Sequence, residues 1–111
     1  MSPSNIQEPF KRISPQEALA FIKKGNVQVI DVRQPGEWAT GHVEGAQLIP
    51  VDSLFERIGE VAEDKDIIFY CAVGVRSGLA CEIGAAMGRT RCHNIEGGIE
   101  AWKAAKLPTV K

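Results

Sequence analysis

Ile67-Ile68-Phe69-Tyr70-Cys71-Ala72-Val73-Gly74-Val75-Arg76-Ser77 is the stretch that decides the fold. Its apolar opening reads as a strand. Leu79-Ala80-Cys81-Glu82-Ile83-Gly84-Ala85-Ala86-Met87, just beyond, reads as a helix. The order is strand, tight turn, helix, with a cysteine at the strand's end and an arginine where the helix begins. Gly74 suits a turn with positive φ, which a larger residue resists. Backbone N–H groups at a helix N-terminus favour negative charge. A cysteine facing them loses its proton readily and becomes a nucleophile. A free thiol titrates near ~8.5, and a drop of about two units needs roughly 2.7 kcal/mol. A helix dipole supplies only ~0.3–1 kcal/mol of that. The rest must come from N–H···S bonds across the turn and from positive charge such as Arg76.

Working outward, strands alternate with helices. Ser14-Pro15-Gln16-Glu17 opens a helix, with a capping serine, proline at the first position and glutamate completing a capping box. Ala18, Leu19, Phe21 and Ile22 form its apolar face, and Gly25 stops it. Val27–Val32 reads as a strand, Gln34–Ala39 as a brief helix and Ala46–Ile49 as another strand. Val51, Leu54, Phe55, Ile58 and Val61 recur at helical spacing, predicting a helix over 51–62. Thr90–Ile95 reads as a last strand and Ile99–Ala105 as a terminal helix. The expected architecture is α/β: a central, mostly parallel sheet of about five strands with helices on both faces. Ligand sites in such sheets lie beyond the strands' carboxyl ends, where Cys71 falls.

The chain has 111 residues, enough for one ordinary domain. Residues 1–9 are expected to be a flexible tail and 10–111 a single domain. A net charge of −1 gives no reason to expect a nucleic-acid partner. No apolar run is long enough for a membrane span, and the N-terminus lacks the pattern of a secretory signal. Three cysteines without a framework spacing suit a reducing compartment, so a cytoplasmic setting is expected.

Four segments together resemble the rhodanese (sulfurtransferase) family. They are Asp31-Val32-Arg33, Gly41-His42-Val43-Glu44-Gly45-Ala46, the Cys71–Ser77 loop, and Asn94-Ile95-Glu96-Gly97-Gly98-Ile99-Glu100-Ala101-Trp102 with Leu107-Pro108 beyond. They occur in the family's order and cover nearly the whole chain. The resemblance implies a three-layer rhodanese-like fold and a single-domain enzyme. It implies that Cys71 takes a sulfane sulfur from thiosulfate or a persulfide donor, carries it as a persulfide, and passes it to cyanide or a thiol, including a thiol on a protein. The loop Ala72, Val73, Gly74, Val75, Arg76 and Ser77 would bind the persulfide mostly through backbone N–H groups. No metal or organic cofactor is implied. One alternative is a persulfide carrier or interaction module without turnover. Another is a cysteine-dependent phosphatase or arsenate reductase. The resemblance implies that four intervening residues, Ala72 to Val75, fit one sulfur atom, whereas five leave room for a tetrahedral oxyanion.

The other polar residues have structural readings beside functional ones. Arg76 either ties the loop to the protein body or aids the thiolate, and one fork can do both. Asp31 and Arg33 could be catalytic by their position at a strand's end, but the resemblance implies a structural network holding neighbouring loops, with Glu37 a partner for Arg33 four residues on. His42 has no second ligand at metal spacing and is read as a hydrogen-bonded structural histidine. His93 is read as surface or packing. Cys81 and Cys92 are read as packing, with a resolving-cysteine role as the alternative.

Overall fold

The computed structural model describes residues 8–111. The expected tail therefore lies mostly outside the described residues. Five strands form one parallel sheet: β1 (Lys11–Ile13), β2 (Val27–Asp31), β3 (Gln47–Leu48), β4 (Asp66–Tyr70) and β5 (Cys92–Ile95). The spatial order is β1-β5-β4-β2-β3. The helices are α1 (Pro15–Lys24), α2 (Pro35–Trp38), α3 (Val75–Ala86) and α4 (Gly98–Ala104).

The core follows from strand alternation. Successive side chains point to opposite faces, so Ile67 and Phe69 of β4 join one apolar cluster and Ile68 and Tyr70 the other. The first cluster continues into Ala80 and Cys81 of α3. The second continues into Ala18 of α1 and into Ile99 and Trp102 of α4. Both faces are covered, as a parallel sheet requires. α1 starts with the expected capping box: Ser14 Oγ accepts from Glu17 N at 3.1 Å, and Glu17 Oε1 accepts from Ser14 N at 2.8 Å.

Two sequence expectations need correction. Residues 51–62 do not form one helix but two short 3₁₀ turns, Val51–Ser53 and Ile58–Glu60. The apolar residues come in pairs three apart, Val51 with Leu54 and Ile58 with Val61. A 3₁₀ turn stacks such pairs on one face as well as an α-helix does. Phe55, which only the α-helical reading would bury, is 64% exposed. The second correction is β1, a strand that the sequence pattern does not announce. Only Ile13 of its three residues is buried, so no alternation is visible.

Candidate active site

β4 ends at Tyr70, so Cys71 stands just beyond the sheet's carboxyl edge. Gly74 caps α3 in the left-handed conformation, φ 101°, and has no side chain to offer the helix's free N–H groups. The Cys71 sulfur takes that place. Gly74 N donates to Cys71 Sγ at 3.1 Å and Ser77 N at 3.4 Å. Ser77 Oγ lies 3.3 Å from the same sulfur. Cys71 is only 1% exposed. Burial opposes ionisation, but the Ser77 hydroxyl and the N–H groups of Ser77, Gly74 and Val73 outweigh it and hold the thiol below its ordinary value.

A second helix fixes the same loop from below. The N-terminal N–H groups of α4 donate to its carbonyls, Ile99 N to Cys71 O at 2.9 Å and Glu100 N to Ala72 O at 3.1 Å. Gly98 permits this approach. A Cβ there would stand 2.5 Å from both carbonyl oxygens. The segment Asn94–Trp102 thus supports the loop from a distant part of the chain.

Arg76 does not bond the sulfur. Its guanidinium forks onto Glu37, Nη1 to Oε1 at 2.7 Å and Nη2 to Oε2 at 2.9 Å. The Arg76 hydrogen bonds and the Gln34 N–H hold Glu37 down at about 2. This corrects the expected Glu37–Arg33 pair. Four-residue spacing suggests that pair along a helix, but Arg33 precedes α2 and turns back instead. Its Nε and Nη2 bond the buried Asp31 carboxylate, with Nη2 to Oδ2 at 2.7 Å. Nη2 also donates to Gly41 O at 2.7 Å. Asp31 and Arg33 thereby tie the end of β2 to the loop carrying His42. The His42 ring stacks on Trp38, centroids 3.5 Å apart, with Nδ1 3.1 Å from Trp38 O.

His93 is buried, with Nε2 3.0 Å from Asp66 Oδ1 and its ring beside Phe21, so it is a packing residue and not a surface one. Cys81 and Cys92 are buried free thiols. Burial pushes Cys81 far up and Cys92 up to about 11.

Sequence reasoning missed Asn94 as a site residue. Its Oδ1 accepts from Ser77 Oγ at 2.6 Å, and its Nδ2 donates to Gly74 O at 3.0 Å. Its only sequence signal was its place at the head of the Asn94–Trp102 motif. Beside the loop runs a groove of about 570 Å³. Val73, Gly74, Val75 and Leu79 line it, with Glu82 and Glu96 among its carboxylates. Among the described residues no group of His, Cys, Asp and Glu could hold a metal ion. No helix among them is long and apolar enough to cross a membrane.

The family model for the rhodanese-like domain matches residues 14–105. The chain belongs to the rhodanese-like domain family. It is 38% identical over 96 residues to the uncharacterized protein YqhL of Bacillus subtilis, covering 86% of this chain and 75% of that one. It is 36% identical over 95 residues to the thiosulfate sulfurtransferase GlpE of Ectopseudomonas mendocina, covering 86% of each. Among solved structures, the rhodanese-related protein from Thermoplasma volcanium superposes with a TM-score of 0.82 at 31% identity, covering 90% of this chain and 97% of that one. The rhodanese-like layering of the sheet agrees with that likeness.

Proposed function

We propose that this rhodanese-like chain is a sulfurtransferase that works through a persulfide on Cys71. The observation that carries the reading is the pair of backbone N–H groups on the Cys71 sulfur, 3.1 and 3.4 Å away, at the head of α3. Fixed donors of this kind stabilise charge on sulfur without reorganising. In the first step the Cys71 thiolate attacks the outer sulfur of thiosulfate or of a persulfide. With thiosulfate, the donor's S–S bond breaks and sulfite leaves with the bonding pair. The new Cys71 persulfide anion bears the charge that the loop's N–H groups hold. In the second step cyanide or a thiolate attacks the outer sulfur. Thiocyanate or a new persulfide departs, and the Cys71 thiolate returns. Such a cycle is ping-pong.

Ala72, Val73, Gly74, Val75, Arg76 and Ser77 form the binding loop in this reading, and Asp31, Arg33 and His42 are structural residues near it, Asp31 and Arg33 tying the end of β2 to the segment that carries His42. Arg33 and Arg76 are both paired with carboxylates, so backbone N–H groups bear most of the task of holding an anionic donor. The groove beside Gly74 offers room for an acceptor larger than cyanide, including a thiol on a protein surface.

Intact mass after incubation with thiosulfate tests the reading, with Cys71→Ser run alongside. The expected result is one added sulfur on the unaltered chain, none on the variant, and release as thiocyanate on adding cyanide. No adduct from thiosulfate or from a persulfide donor on the folded, reduced protein would overturn it. Turnover of an aryl phosphate in place of sulfur loading would favour oxyanion chemistry.

A further inference from the structure

The Ser77 hydroxyl has one proton and two neighbours that want it. Asn94 Oδ1 is 2.6 Å from Ser77 Oγ, and Cys71 Sγ is 3.3 Å away on the other side. All three residues are at most 1% exposed, so water does not make good a missing bond. The Asn94 amide cannot simply flip. Its Nδ2 donates to Gly74 O, which leaves Oδ1 facing the serine.

The two protonation states of Cys71 therefore need different hydrogen positions. In the neutral state a single line of donors satisfies every group. The thiol S–H points to Ser77 Oγ, the Ser77 O–H to Asn94 Oδ1, and the Asn94 N–H to Gly74 O. In the thiolate state the sulfur only accepts. The Ser77 O–H either stays with Asn94 and leaves the sulfur one donor short, or turns to the sulfur and strands a buried carbonyl oxygen. A stranded buried acceptor is the costly side of this exchange.

We infer that Asn94 is a positioning residue that sets the acidity of Cys71 by competing for the Ser77 hydroxyl proton. The helix N–H groups lower the thiol, and Asn94 limits how far the serine adds to that. Nucleophilicity falls as a thiol becomes more acidic, so a restraint of this kind keeps the thiolate reactive. The inference rests on Cys71 being the reactive thiol of the proposed function, but it needs no sulfur donor for its test.

The test is the pH profile of Cys71 alkylation by iodoacetamide in four proteins: unaltered, Asn94→Ala, Ser77→Ala, and the double variant. Without Asn94 the hydroxyl is free to serve the thiolate. Asn94→Ala should lower the Cys71 pKa by about half a unit, roughly threefold in the thiolate-to-thiol ratio. Ser77→Ala should raise it. In the Ser77→Ala background, removing Asn94 should produce no further downward shift. A merely structural loosening of the loop would move the pKa alike in both backgrounds, and that result would overturn the inference, as would an upward shift in Asn94→Ala.

A measurement on the unaltered protein stands if the variants do not fold. The Asn94 side-chain amide resonances should follow the Cys71 titration in NMR spectra. Their silence through that titration would equally overturn it. A Cys71 that titrates as an ordinary thiol removes the inference together with the premise it rests on. An acidic Cys71 indifferent to Asn94 removes the inference alone.

Discussion

Cys71 and Cys81 belong to one buried cluster and to one strand-to-helix unit, yet their thiols shift in opposite directions. Cys71 lies before the first turn of α3, where N–H groups have no helical partner. Cys81 lies inside α3, where the helix's own carbonyls already occupy them. Both are 1% exposed or less, so burial does not separate them. The supply of unpaired donors does. Two ends of one short segment thus turn the same side chain into an acidic thiol and into packing.

The largest effect that would break this contrast is in labelling. Iodoacetamide at pH 7 should modify Cys71 in the native protein and leave Cys81 and Cys92 untouched until it unfolds. With Cys92 pushed to about 11, its thiolate fraction at that pH is on the order of one in 10⁴. Peptide mass mapping reads the result, and early labelling of either core cysteine would end the comparison.

The next effect tests whether the loop's fixed backbone underlies it. Gly98→Ala would drive a Cβ to 2.5 Å from the carbonyls of Cys71 and Ala72, at a backbone φ of 59°. The expected cost is roughly 2–4 kcal/mol in urea unfolding, with a raised Cys71 pKa in whatever remains folded. Gly36→Ala, where a Cβ meets nothing within 4 Å, is the control. Its expected change is within about 0.5 kcal/mol. Equal effects at the two glycines would mean that α4 does not hold the loop.

The smallest effect concerns Arg76. Glu37 is lowered from 4.5 to about 2 by this partner and by the Gln34 N–H. A carboxylate depressed in the folded state stabilises it above the unfolded value. That contribution fades as pH falls from about 4.5 through about 2. The two side chains are 34% and 37% exposed, so solvent screens the pair. Glu37→Gln should cost less than about 1 kcal/mol at neutral pH, and less again in high salt. The unaltered and variant proteins should converge in stability near pH 2. A loss that persists there would show that Glu37 acts other than as a charge.

What the sequence made legible was local. Ser14 with Glu17 announces a helix start within four residues, and Gly74 between Cys71 and Ser77 announces a turn, because each signal lies beside the geometry it causes. The partner of Arg76 was not legible, and for Arg33 the expected network with Asp31 forms while the pairing with Glu37 does not. Asp31 and Glu37 are both close to Arg33 along the chain, and only the direction in which β2 leaves the sheet decides between them. Asn94 was opaque for a similar reason: it meets Ser77 only because β4 and β5 are neighbours in the sheet. The pattern over 51–62 predicts one helix where two short turns form, because pairs three apart serve two kinds of helix. β1 went unseen because an edge strand of three residues with one buried side chain has no period to detect.

The strand order also governs how the chain is made. β1 pairs with β5, Lys11 opposite His93, so the first strand waits for the last. During synthesis the segment Lys11–Ile13 leaves the ribosome long before Cys92–Ile95, and it has no sheet partner until they follow. α4, which braces the Cys71 loop, emerges later still. Cys71 is therefore translated well before the backbone that shields its carbonyls, and its surroundings are complete only once Asn94–Trp102 has followed.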